Sequence, residues 1–422
     1  MLRIKIPLGI LNTEQMIRLA DLSEEYAGGV SHSTTRRDIQ FHFVSLEDTP
    51  DIMRRLAEVG ITPREACGNV VRSVTGCSKS GVCSTEGFDV TPYASAMADY
   101  LLRHPDTQNL GRKFKISFSG CDDKPCGLAK IHDLGTVAAV REVEGTHVEG
   151  FKVYLGGGLG ALPQQAEILS DFVRAEEMLP LAQAISRVFA RLGEKKNRAR
   201  ARLKFLIRKL GIEEFRRLVE EERARLPRDP KWDAGYPKRG NATEQPLKPG
   251  SRFEADPLGD PGFLRWLSPN VRPQAQDGYS LVEVFLPLGD IAAEPLRELA
   301  LACRSYVKDT IRITASQNLL IRWASNQDLE ALYQDLERIG LAEAGADRLA
   351  DVTACPGTDT CKLGHHVVAR PRRPPARKVQ QWYGYDRGPT RPQGQDQRLL
   401  QRVWTSPCRR YRVPGFGATK RF

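Results

Sequence analysis

Nine cysteines stand in the 422 residues, and five of them fall between Cys67 and Cys126. Cys77-x5-Cys83 and Cys121-x4-Cys126 form two short-spaced pairs, each on a loop beside a helix or strand. Four such thiols make a plausible cage for a thiolate-ligated iron–sulfur cluster. Gly76, Gly81, Gly120 and Gly127 would let backbone approach the metal closely. The same thiols could hold zinc, although structural zinc motifs favour tighter spacings, or they could be inert buried cysteines. Cys355-Pro356-Gly357-Thr358-Asp359-Thr360-Cys361 repeats the x5 spacing, but only Cys408 follows it. A four-thiolate site cannot close on those three.

Arg36, Arg72, Lys113 and Lys115 accompany the first cysteine region. Lys113 and Lys115 alternate along an expected strand over 113–119, so both would project from one face, where two cations repel unless an anion lies between them. Singly, each is an ordinary solvated side chain; their grouping hints at anion binding. Phe151-Lys152-Val153-Tyr154-Leu155 running into Gly156-Gly157-Gly158-Leu159-Gly160-Ala161 loosely fits a dinucleotide turn. It stands too deep in its domain to open a βαβ unit, so a flat or anionic cofactor other than NAD is the better occupant. The basic helix expected over 198–218, with Arg198, Arg200, Arg202, Lys204, Arg208 and Lys209, is either a solvated face or a contact for cofactor carboxylates.

An internal repeat must position these groups. Ile4-Lys5-Ile6-Pro7-Leu8-Gly9 is echoed by Val284-Phe285-Leu286-Pro287-Leu288-Gly289, each an apolar strand entering a Pro-Leu-Gly turn and then a helix, over 14–26 or 292–303. Alternating strands follow over 33–41 and 311–319, then helices over 48–59 and 327–339. The offset between copies is 280 at Pro7/Pro287 and Thr34/Thr314, and 278 at Cys77/Cys355 and Cys83/Cys361. The first copy continues into an α/β domain with strands at 113–119 and 151–155 and helices at 91–103, 166–173, 177–193 and 198–224. The second stops soon after Cys361. A Pro-, Gly- and charge-rich linker joins them near 226–277.

With 41% apolar and 27% charged residues, the composition is that of a soluble globular protein and excludes disorder and collagen. No run approaches the apolar length of a membrane span, and the N-terminus has no export signal, so the cytoplasm is the expected location. An odd number of cysteines in short pairs suggests ligands or buried thiols in a reducing compartment, not a disulfide framework. The net charge of +11 invites a nucleic-acid reading. Residues 365–422 carry 14 Lys and Arg against two acids, leaving the rest of the chain near neutral. A Pro/Arg-rich tail without an aromatic-rich fold motif supports nucleic-acid binding poorly.

Over residues 1–364 the chain resembles the sirohaem and [4Fe–4S] nitrite/sulfite reductase family. The resemblance rests on the two half-domains, on Gly111-Arg112-Lys113-Phe114-Lys115-Ile116, on Thr314-x-x-Gln317-Asn318, and on Ala354-Cys355-Pro356-Gly357-Thr358-Asp359-Thr360-Cys361. It implies an α+β fold with a pseudo-two-fold repeat: ferredoxin-like half-domains over 1–64 and 278–343, a sirohaem/4Fe-4S domain over 65–225, the linker over 226–277, and the start of a second such domain over 344–364. It implies sirohaem between the halves, a cluster touching it through a shared sulfur, a reduced ferredoxin or similar donor, and six-electron reduction of sulfite to sulfide or nitrite to ammonia. By resemblance, Arg36, Arg72, Lys113 and Lys115 match the basic residues over the open face of the iron. Thr314, Gln317 and Asn318 match a strand against the tetrapyrrole, and Cys355 and Cys361 match the first two cluster ligands.

The chain departs from the family's pattern after Cys361, where the second ligand pair has no counterpart. The first half carries pairs of its own, which either bind a cluster there or are remnants of the repeat. His365-His366-Val367-Val368 is what a one-base slip of a family-like stretch would spell, so the tail over 365–422 is expected to be out of frame. Impaired activity is the corresponding expectation, and a non-catalytic iron–sulfur or sirohaem-binding module is the alternative.

Overall fold

The computed structural model describes residues 1–122, 125–234, 244–253, 256 and 258–355. Cys361, Cys408 and the 365–422 tail lie outside the described residues.

The first repeat runs β1 (Leu2–Ile4), β2 (Ile10–Leu11), α1 (Thr13–Tyr26), β3 (Val30–Ser33), β4 (Ile39–Phe41) and α2 (Thr49–Glu58). It is followed by α3 (Thr91–Leu101), β5 (Ile116–Ser119), β6 (Leu134–Val143), β7 (Thr146–Leu155), β8 (Glu167–Arg174), α4 (Met178–Leu192), α5 (Leu203–Leu210), α6 (Ile212–Arg225) and a short α7 (Lys231–Ala234). Then come α8 (Pro261–Asn270), β9 (Val271–Pro273), β10 (Tyr279–Val284), β11 (Asp290–Ala292), α9 (Ala293–Cys303), β12 (Ile311–Ile313), β13 (Leu319–Ser325) and α10 (Leu329–Arg338). Asn12 opens α1 through a capping box with Gln15, which satisfies backbone donors that the first helical turn leaves unpaired.

The two repeats exchange strands. One sheet is ordered β1-β4-β3-β11 and takes its last strand from the second repeat; the other is ordered β2-β12-β13-β10-β9 and takes its first from the first repeat. Ile291 pairs with Ser31, and Ile311 with Leu11. A single apolar core runs through both, from Met16, Leu19 and Phe41 to Trp266, Leu296, Leu299 and Leu332. Helices α1 and α9 pack together, and Arg297 on α9 reaches Asp21 at 2.9 Å and Glu24 at 2.6 Å on α1. A second core lies under the mixed sheet β5-β6-β7-β8, with Phe118, Phe151, Phe189 and Phe215 inside.

Several expected elements differ from the observed ones. The strands expected over 33–41 and 311–319 are hairpins, each broken by a tight turn, at 34–38 and 314–318. Burial does not alternate through either turn: Thr34, Arg36, Arg37 and Asp38, and Thr314, Gln317 and Asn318, are all buried polar side chains. Segment 166–173 is strand β8, not a helix: it pairs antiparallel with β7, and that pairing outweighs local propensity. The basic helix over 198–224 breaks at Gly211, whose φ of 82° is open to glycine at little cost. Lys113 and Lys115 precede β5 on an extended segment bridged to Val71 through Phe114.

Candidate functional site

Thr34 closes the first turn. Its amide donates to the Asp38 carbonyl at 2.9 Å, and its hydroxyl accepts from the amides of Asp38 at 3.0 Å and Arg36 at 3.3 Å. Arg36 therefore leaves the hairpin end in a fixed direction. Its guanidinium meets the Ile116 carbonyl at 3.3 Å, the Ser73 carbonyl, and Nε2 of His132 at 2.8 Å. The His132 Nδ1 sits 2.8 Å from the Leu128 carbonyl, an acceptor, so Nδ1 carries the proton and Nε2 accepts from Arg36. Burial, with Arg36 and Lys115 alongside, drives the His132 pKa well down, so the ring is neutral.

The structure brings the four expected cations together. Burial lowers the pKa of Arg36 to about 10 and of Lys113 to about 8, and it drives that of Lys115 well down. Neighbouring charge adds to this: Arg36 and Lys113 act on Lys115, and Arg202, Arg72 and Arg112 act on Lys113. Arg72 is held by the Gly68 carbonyl at 3.1 Å and the Ala66 carbonyl at 2.8 Å. Against these cations stand Asp38 and Asp133. Asp133 is already engaged by Arg202 at 2.9 Å and by the Lys115 amide at 2.9 Å. Asp38 accepts from Ser73 at 2.6 Å and Ile6 at 3.2 Å. Among the described residues the acids facing these cations are thus already engaged, and a charge deficit inside a protein is relieved by an anion.

The second turn repeats the first. The Thr314 amide donates to the Asn318 carbonyl at 2.8 Å, the Thr314 hydroxyl accepts from the Asn318 amide at 3.1 Å, and the Asn318 side chain accepts from Leu286 at 2.9 Å, as Asp38 does from Ile6. Thr314, Gln317 and Asn318 therefore lie on a turn, not on the strand expected for them. Gln317 reaches the Ser33 carbonyl at 2.6 Å, one residue before the first turn, and its own carbonyl accepts from the Ala354 amide at 2.7 Å. The turn thus joins both repeats and holds the backbone next to Cys355, which is exposed.

Sequence reasoning missed Arg37, His132 and Asp133 and left Arg202 undecided. Arg37 is 2% exposed, and its Nε and Nη1 have no hydrogen-bond partner among the described residues; the same holds for Nε of Arg36 and for Nε and Nη1 of Arg322. No single spacing ties these residues together, because Arg36 and Arg37 sit on the first turn, His132 and Asp133 just before β6, Arg202 just before α5 and Arg322 on β13. The TTRR run at Thr34–Arg37 was the available signal. In the glycine turn, the space beside Gly157 and Gly158 is filled by the protein itself: Cβ atoms there would lie 2.5 Å from the Lys130 carbonyl and 2.6 Å from Arg202. Its carbonyls instead receive Lys204.

The thiols are gathered as two couples across two loops. Cys77 and Cys126 form a disulfide with Cα atoms 5.8 Å apart, at two positions where metal ligands or buried thiols were expected in place of a disulfide framework. The loops flanking β5 bring these Cβ atoms within bonding reach. Cys83 is hydrogen-bonded to Cys121, and this lowers its pKa to about 5 against the opposing effect of burial. Among the described residues no three metal-ligating side chains converge on one point.

A repeated hairpin clasp beside a buried cationic cluster is the class of architecture in hand, and comparison with known proteins places it. Residues 67–226 match the nitrite and sulphite reductase 4Fe-4S domain, and residues 1–59 and 272–339 match the nitrite/sulfite reductase ferredoxin-like half domain. The chain belongs to the nitrite and sulphite reductase family. It is 28% identical over 363 residues to sulfite reductase [ferredoxin] 1 of Mycolicibacterium paratuberculosis, covering 86% of this chain and 60% of that protein. It is 31% identical to the assimilatory ferredoxin-dependent nitrite reductase of Haloferax mediterranei, covering 86% of this chain and 61% of that one. The solved structure of Mycobacterium tuberculosis NirA matches with a TM-score of 0.70 at 27% identity, over 86% of this chain and 61% of that chain. The chain thus spans about 60% of the length of these relatives. Among the described residues no helix is long and apolar enough to cross a membrane.

Proposed function

We propose that the protein holds sirohaem against the paired turns and serves the six-electron reduction of sulfite to sulfide or nitrite to ammonia, with electrons from a reduced ferredoxin. One observation carries this reading: Arg36, Arg72, Lys113 and Lys115 converge where the acids facing them among the described residues are already engaged. The guanidinium nitrogens of Arg36, Arg37 and Arg322 that lack partners among the described residues fit a cofactor rich in carboxylates. Sirohaem, when bound, supplies an iron for the oxyanion and a route for electrons. The residues of this chain supply the rest. Arg36 and Arg72, fixed by backbone carbonyls, act as permanent charges that hold the anion against its hydration. Lys113, with its pKa lowered to about 8, donates a proton at Nζ more readily than an ordinary lysine, as departing oxygen requires.

The [4Fe–4S] centre fits the second half less well. Of its four thiols, Cys303 is buried in the apolar core, Cys355 is exposed, and Cys361 and Cys408 lie outside the described residues. A second reading, favoured by the lack of three converging metal-ligating side chains among the described residues, is a module that binds sirohaem without turnover. The test is anaerobic turnover of sulfite and nitrite by the sirohaem-loaded chain with reduced methyl viologen. Sulfide or ammonia production that falls at least tenfold in Lys113→Met supports the reductase. A loaded chain that gives no product supports the module.

A further inference from the structure

We propose that Cys77, Cys83, Cys121 and Cys126 form a thiophilic metal centre of the first half, and that the Cys77–Cys126 disulfide is its oxidised, metal-free form. This inference does not depend on the sirohaem reading.

The two loops meet at the C-terminal end of β5. Thr75 bridges Ser117 in parallel, the Gly87 amide donates to the Gly120 carbonyl at 2.8 Å, and the Gly127 amide donates to Ser119 Oγ at 3.0 Å. These ties set the x5 loop beside the x4 loop, so the sulfurs couple crosswise. The first cysteine of one loop joins the last of the other, and the remaining two are hydrogen-bonded. Each loop thus contributes one sulfur to each of two rungs. The backbone is drawn in tightly here, since a Cβ on Gly127 would lie 2.4 Å from the Phe118 carbonyl and one on Gly120 would lie 3.0 Å from Glu86.

Around a tetrahedral ion with metal–sulfur bonds of about 2.3 Å, neighbouring sulfurs sit about 3.8 Å apart. Opening a disulfide from its bonded length of about 2.0 Å to that separation moves each sulfur by about 1 Å, within the reach of two loops. The chemistry balances with a dithiol reductant. Its two thiols become a disulfide as the Cys77–Cys126 bond takes up two electrons and two protons, and the metal then displaces the thiol protons. While that bond persists, three or more ligands cannot converge, as observed among the described residues. Cys355 and Cys361 are the repeat counterparts of Cys77 and Cys83.

The experiment uses the full chain, reduced with dithiothreitol and desalted anaerobically. One portion is titrated with Co²⁺, and another is given iron and sulfide. Thiolate-to-cobalt charge-transfer bands with tetrahedral visible bands, saturating near one equivalent, identify a mononuclear site; the electron-spin signal of a reduced iron–sulfur cluster identifies a cluster. Either result supports the centre, and neither signal in both arms overturns it. Alkylation of the loaded wild-type chain followed by peptide mass spectrometry must show Cys77, Cys83, Cys121 and Cys126 protected. Protection of Cys355 and Cys361 in their place also overturns the proposal. Cys83→Ser/Cys121→Ser should abolish the signal, and Cys355→Ser should leave it unchanged.

Discussion

Arg37 and Gln317 are structural equivalents 280 positions apart in the sequence, each in the left-handed region at φ 62° and 72° within its turn, and each laid over the glycine of its own repeat's Pro-Leu-Gly segment, Gly9 and Gly289. Gln317 spends its amide on Ser33 and Ala354, whereas Arg37 keeps Nε and Nη1 without partners among the described residues. The duplicated turn thus has one half used for clasping and one half left cationic.

The clasp predicts matched glycine effects. A Cβ at Gly9 would lie 2.7 Å from the Ile313 carbonyl, and one at Gly289 would lie 2.8 Å from the Ser33 carbonyl, both at φ +76°. Gly9→Ala and Gly289→Ala should each cost about 1–3 kcal/mol or more. Because one core spans both repeats, urea unfolding should shift as a single transition of the clasped region. Loss of one repeat with the other left folded would contradict the strand exchange.

Gln317→Ala removes the donor from the buried Ser33 carbonyl and the acceptor from the half-buried Ala354 amide, at about 1–3 kcal/mol for the groups left unpaired. Hydrogen exchange at the Ala354 amide should accelerate, because Gln317 is its partner. An unchanged exchange rate would show that the segment is held by other means.

How much of this was legible in the sequence depended on periodicity. The Pro-Leu-Gly echo and the helix ranges were readable because amphipathic helices and repeated turns leave a local pattern. The hairpin turns at 34–38 and 314–318 were not, since Thr34 and Thr314 close them through hydroxyl and backbone bonds that alternation does not encode. The cluster was half legible. Arg36, Arg72, Lys113 and Lys115 were in view, but His132, Asp133 and Arg37 gain their roles only when β4, β5 and β6 are brought together.

Lys113 sets a pH dependence. Its folded pKa of about 8 lies below the ordinary 10.5, so the folded chain carries the full cost of the charge below pH 8. That cost is relieved as pH rises from about 8 to 10.5, so Lys113 makes stability increase with pH across that window. Thermal melts of wild type and Lys113→Gln should differ in slope there, with the variant flatter. Parallel slopes would refute the assignment.

Arg202→Met should be costly, because it strips the guanidinium from Asp133, whose side chain is 0% exposed. A loss of about 3–5 kcal/mol is expected for breaking a buried pair from one side. Asp133→Asn/Arg202→Met should recover part of it, as measured by denaturant midpoints.

The most direct test is an anaerobic sirohaem titration of the purified full chain, followed by its visible absorption. A saturable spectral change near one equivalent, weakened at least tenfold in Arg36→Met with circular dichroism unchanged, is the predicted result. A chain that takes up no sirohaem, or one that binds it equally well when Arg36 is replaced, would contradict a basic pocket built by the paired turns.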